Sequence, residues 1–396
     1  MAKREPPPHG GDQEAPTVEF NNYTPFTAIP WTAEDATAKS FGVLLVKAVF
    51  RIWPTGASDR WEIRPVCPQP PPFSRDEFYG EPGKSSVRFE SDYVPPKPRT
   101  DVLVNAIARA PRGAAATKWP VFVEVGPVRK VLRVTGPGMW RRSILGGWSR
   151  SEPAPCDRVP IRYEYAFGGA AIRRRSGSAE EWLSFSSQNP IGRGWIDSGM
   201  DEREVPAAQI EDPDHLIRSA GDRPPPAGLG ALHRSWQPRL ELAGTFDQKW
   251  LDTRWPHLPA NFNFAHYNAA QPGLIAPGYL RGDEEVKLGG LLPGPFEHRF
   301  ALPGYTMIKS IRLGDGPEVL VKMHLDTILV DIVSDDPDEW RVHLSWRSGH
   351  ALTPPPRLLE ACMLQPKDRE RSRQRAARDG VRANAAVPLA RLRRED

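Results

Sequence analysis

Glu164 and Asp247 lie in stretches rich in aromatic residues, and such a carboxylate pair beside stacking rings is the equipment of a carbohydrate-cleaving enzyme. The acidic run Asp283-Glu284-Glu285 offers a second pair, but it reads more simply as a solvated turn. Nothing in the spacing fixes the separation of about 5–10 Å that glycoside chemistry needs. His324, His343 and Asp326 fall on neighbouring expected strands and are the nearest approach to a metal set. A metal site needs three or four convergent ligands, so half-exposed histidines on a wet sheet face are the simpler expectation.

Other chemistries fail sooner. Gly228-Leu-Gly230 and Gly80-Glu-Pro-Gly83-Lys84 have the wrong intervals for a dinucleotide or phosphate loop, and no G-x-S-x-G elbow occurs. Cys67, Cys156 and Cys362 are far apart and form no C-x-x-C, which excludes a disulfide framework and a cysteine zinc site. Cys156 would be the candidate thiol nucleophile, though a small residue among prolines explains it as well. No catalytic residue, cofactor or metal is assigned.

The elements that would position any site are mostly strands. With 44 Pro and 33 Gly in 396 residues, long helices are excluded. Phe41–Trp53, Asp101–Arg109, Val159–Phe167, Val319–Leu325 and Thr327–Val333 read as strands. Val121, Val123 and Val125 face Val128, Lys130, Leu132 and Val134 across a Gly126-Pro127 turn, the pattern of a hairpin. Trp340, Val342, Leu344 and Trp346 alternate with polar residues, which predicts one buried and one wet face. Residues 171–295 show no period, yet five Trp between Trp182 and Trp255 argue for an ordered irregular wrap.

The expectation is a mainly β protein of antiparallel, sandwich-like sheets with few helices and a long Pro/Gly/Trp-rich segment packed on them. Residues 1–17 read as a disordered lead-in and 18–350 as the body. Within it, 18–170 forms a sheet region, 171–300 the wrap and 301–350 a β-meander. Residues 351–396 read as a basic tail, helical over Arg357–Arg378 or disordered. From Lys367 to Asp396, ten Lys or Arg stand against five Asp or Glu, a net +5 on a chain of net +4. The body is therefore near neutral. Nucleic-acid binding would rest on Arg369, Arg371, Arg373, Arg375 and Arg378, which have no aromatic platform among them.

With no apolar leader and no stretch long enough to span a bilayer, a cytoplasmic location is expected, with no membrane partner. The middle segment also mixes Trp and Arg, the residue types enriched at binding hot spots. Trp236, Arg239, Trp250, Arg254 and Trp255 are the expected partner contacts.

Several strings then read together: Asn22-Tyr-Thr-Pro-Phe26, Lys97-Pro-Arg-Thr-Asp-Val102, Arg162-Tyr-Glu-Tyr-Ala-Phe-Gly-Gly169, Asn189-Pro-Ile-Gly-Arg-Gly194, Ala243-Gly-Thr-Phe-Asp247 and Tyr279-Leu-Arg-Gly-Asp-Glu284. In this order they resemble the family called domain of unknown function 2169, over roughly residues 18–347. That resemblance implies a non-enzymatic adaptor or chaperone of the bacterial type VI secretion system. Such a protein holds a secreted effector toxin in the cytoplasm and helps load it onto the VgrG or PAAR spike. Two departures stand out. Asn261-Phe-Asn263 replaces the family's Asp-Phe-Asp, and Gln271-Pro-Gly273 replaces a short acidic loop, so no carboxylate ion site is expected there.

Overall fold

A computed structural model describes residues 18–55, 59–144, 146–174 and 181–367. The longest strand is Ser40–Pro54, where Val43 through Phe50 are all buried. A run so apolar suits a strand covered on both faces. It lies between Thr27–Glu34 and Arg341–Ala351 in a seven-stranded sheet that continues through His324–Ile332, Asp101–Arg109 and Arg158–Pro160. Trp61–Pro65 pairs with the far end of Ser40–Pro54. Neighbours run antiparallel except His324–Ile332 with Asp101–Arg109, which are parallel.

The expected hairpin is present as Lys118–Val125 and Val128–Thr135, with Gly126 taking the left-handed conformation (φ +54°) that the tight turn requires. It forms an antiparallel five-stranded sheet with Ile210–Glu211, Glu285–Gly289 and Glu297–Ala301. The inward side chains Val121, Val123, Leu132 and Val134 share one apolar core with Val102, Val104, Ile328 and Leu344 of the larger sheet. The chain is mainly β, with several antiparallel sheets and, among the described residues, few and short helices.

A third sheet was not foreseen. Pro356–Leu364 is one of its inner strands, between Thr306–Leu313 and a parallel Glu19–Asn22, with Glu318–Lys322 at the far edge. The helix expected over Arg357–Arg378 is therefore wrong for 357–364, and the body runs past 350. Leu-Leu-Glu-Ala-Cys-Met-Leu has helix-favouring composition, but partners on both sides and burial of Leu359, Ala361 and Cys362 override it.

The Arg341–Ala351 strand is also not wet on one face, because His343, Ser345 and Arg347 are buried beneath the 73–97 connector. The 171–295 segment packs down as expected, placing Leu229, Leu232 and Trp236 in the main core, although Glu285–Gly289 is a regular strand of the five-stranded sheet. It also contains the hairpin Ala170–Arg174 with Glu181–Phe185 and two short helices, Arg239–Leu242 and Gln248–Thr253. No helix among the described residues is long and apolar enough to cross a membrane. The expectations for residues 1–17 and for Arg369–Arg378 lie outside the described residues.

Candidate functional site

The five expected partner contacts divide into a buried base and an exposed top of one helical elbow, residues 236–258. Trp236 is in the core, edge-on to Tyr163 at 5.8 Å. Arg239 is also buried: its Nη1 donates to Glu90 Oε1 at 2.7 Å and to the Leu232 carbonyl, and its Nε donates to the His266 carbonyl at 3.0 Å. Neither residue presents a surface, so as direct contacts both are corrected. Trp and Arg report aromatic and charge content equally well in a core, which is why composition alone could not separate the two roles.

The top of the elbow is different. Asp247 caps the Gln248–Thr253 helix, accepting from the Trp250 backbone N–H at 2.8 Å. One turn then sets Phe246 against Trp250, with ring centroids 4.8 Å apart. Trp250 is half-buried and its indole N–H donates to the His257 carbonyl at 2.9 Å. Arg254 donates through Nε to the Leu258 carbonyl and through Nη2 to the Ala36 carbonyl, tying the elbow to the turn before Ser40–Pro54. His257 Nδ1 lies 2.8 Å from Glu34. With these polar groups engaged internally, Phe246 (56% exposed), Leu251 (51%) and Trp255 (65%) face solvent together with Leu240. Phe246 and Leu251 were missed in the sequence. The readable signal was Phe246, Trp250, Leu251 and Trp255 placed around the cap residue Asp247 and the short helix that it opens.

Beneath the elbow lies a buried ionic layer. Lys47 pairs with Asp92, Arg347 with Asp326 and with the Asp92 carbonyl (2.9 Å), and Lys97 with Asp101 at 2.7 Å. Asn268 Nδ2 and the Ala269 N–H also donate to Asp101. Burial pushes the Asp326 carboxyl up and the Lys47 ammonium down. At Asp92 and Glu90 burial acts upward too, but Lys47 and Arg347 at the first, and Arg239, Lys97 and Arg234 at the second, outweigh it and hold both low. The cavity beside these charges is about 30 Å³, room for about one water molecule. This layer fastens the connector to the sheet and has no space for a substrate.

The chemically suggestive residues are each engaged in structure. Glu164 accepts from the Ser86 N–H at 3.0 Å and from the Ser86 hydroxyl, while Asp247 is the helix cap already described. His324 stacks on Tyr279 at 3.9 Å, His343 lies beside the stacked pair Phe73 and Phe89, and Asp326 belongs to Arg347. Among the described residues no three His, Cys, Asp or Glu gather as metal ligands. Burial raises the Cys156 thiol, the opposite of nucleophile activation.

A family model described as an uncharacterised protein conserved in bacteria, DUF2169, matches residues 37–347. The chain belongs to the DUF2169 family. No curated protein and no solved structure matches it. The DUF2169 strings now have a physical basis. Buried Asn189 donates to the Tyr163 and Phe167 carbonyls at 2.8 and 3.0 Å, and its own carbonyl accepts from Gly169. A Cβ on Gly168 (φ +148°) would lie 2.1 Å from the Asn189 oxygen, so the two glycine-containing strings form one interlocked turn.

Proposed function

We propose that this DUF2169 protein is a non-enzymatic adaptor that docks a protein client through the top of the elbow, with Phe246, Leu251 and Trp255 as anchors and Trp250 and Arg254 holding them in place. The supporting observation is that four large apolar side chains, Leu240, Phe246, Leu251 and Trp255, stay exposed within one short segment held by the internal hydrogen bonds of Asp247, Trp250 and Arg254. Such a surface is pre-ordered, so docking there loses little conformational entropy. The family resemblance supplies the client's class: a type VI secretion effector, held in the bacterial cytoplasm and passed to a VgrG or PAAR spike protein. The reading of Glu164 and Asp247 as a sugar-cleaving pair is less favoured, because both are engaged in local hydrogen bonds. A tagged full-length chain is expected to recover one large effector, with or without its spike protein. Recovery of no protein client from repeated gentle pull-downs would count against the adaptor reading.

A further inference from the structure

A groove of about 610 Å³ opens at the far end of Asp101–Arg109, away from the elbow's residues, and three arginines stand in it: Arg109, Arg112 and Arg158. Its walls are fixed by the backbone, since the Arg109 N–H donates to the Gly290 carbonyl and the Ala110 N–H to the Asp157 carbonyl, both at 2.8 Å. Asp335 takes one bond from Arg109 (2.6 Å) and one from Arg158 (3.0 Å), so two guanidinium groups share one carboxylate. Asp157 lies 3.5 Å from Arg158 Nε. The Arg109 Nε is buried without a partner. Arg112 is exposed, makes no hydrogen bond or ion pair among the described residues, and holds the left-handed conformation (φ +58°) in the turn Pro111–Gly113, a backbone state costly to a residue with a side chain. The opposite wall is apolar, with Leu292 below and Phe296 exposed at the rim.

Three cations against two carboxylates leave the groove net positive, with the Arg112 guanidinium unengaged among the described residues. We propose that it binds an acidic segment of a protein partner, a carboxylate side chain lying on Arg112 beside the half-exposed Arg158 while the neighbouring chain packs on Leu292 and Phe296. The half-apolar wall favours a peptide over a free phosphate, and the guanidinium fork suits a carboxylate. This inference rests on the chain being a protein-binding module, but not on the elbow.

The test is fluorescence anisotropy of a fluorescein-labelled hexaglutamate peptide against the full chain in 50 mM salt, with hexalysine as the control. The expected results are saturable hexaglutamate binding, at least tenfold weaker for Arg112→Glu, little changed for Arg112→Lys, and reduced by raised salt. Arg158→Glu is the second variant and is also expected to weaken binding. The proposal is overturned if hexaglutamate does not bind, if both charge reversals bind within twofold of the parent, or if inorganic phosphate displaces the peptide at equal or lower concentration. A Leu251→Ala, Trp255→Ala double variant is expected to bind the peptide normally, so failure at the groove and failure at the elbow are read separately.

Discussion

The Arg239 guanidinium sits 2.7 Å from the Glu90 carboxylate with both side chains shut away from solvent, in the same segment that carries the exposed Phe246 and Trp255. The buried pair clamps the base of the elbow to the connector that covers the large sheet. Stability and binding should therefore separate by residue along a single short segment.

Arg239→Ala leaves Glu90 buried with no direct ion pair closer than Arg234, at 3.9 Å, and Lys97 acting only through its charge. It is expected to cost about 3–5 kcal/mol in urea unfolding. Trp255→Ala, which removes an exposed ring, is expected to stay within about 0.5 kcal/mol of the parent. Equal losses for the two would refute the division into base and top.

His343 gives a pH signature. Its ring lies beside the stacked Phe73 and Phe89, and burial first, then Lys47, Arg341 and Arg88, drive its pKa down to about 3, with Asp92 opposing. An unfolded histidine titrates near 6.5. Between these values the unfolded chain takes up a proton that the folded chain refuses, so acidification weakens the fold by about 1.4 kcal/mol per pH unit through this group. His343→Leu is expected to lose about 2 kcal/mol less than the parent between pH 7 and pH 5. Parallel pH profiles would contradict the buried neutral imidazole.

Asn189→Ala removes the side-chain amide that ties the Tyr163 and Phe167 carbonyls. A loss of about 1–3 kcal/mol is expected, because the Phe167 carbonyl loses its donor while the Tyr163 carbonyl keeps the Ala166 N–H. Thermal unfolding monitored by tryptophan fluorescence reads it directly. An unchanged midpoint would mean that the interlocked turn does not stabilise the fold.

Ending the chain at Pro355 deletes Pro356–Leu364 and with it the partner of both Thr306–Leu313 and Glu19–Asn22. Such a fragment is expected to lose cooperative unfolding, whereas a dispensable tail would leave the midpoint where it was. Circular dichroism during heating distinguishes the two.

The strands were legible wherever one physical signal dominated. Phe41–Trp53 is apolar enough to be covered on both faces, and the Gly126-Pro127 turn fixes its hairpin because only a residue free to take positive φ closes it cheaply. What stayed hidden depends on partners distant in sequence. Leu358–Leu364 reads as helix until Thr306–Leu313 lies beside it. Arg347 and His343 read as wet until Phe73 and Asp92 cover them. The same limit applied to the expected contacts: Trp and Arg content could not separate the buried Trp236 and Arg239 from the exposed Trp255, nor point to the exposed Phe246 and Leu251.

The most direct measurement is the affinity of the full chain for the client it recovers, by isothermal titration calorimetry, beside the Leu251→Ala, Trp255→Ala double variant. Loss of two exposed anchors is expected to weaken binding at least about 100-fold with the thermal midpoint unchanged. An affinity within threefold of the parent, in a variant that melts normally, would contradict docking through the elbow.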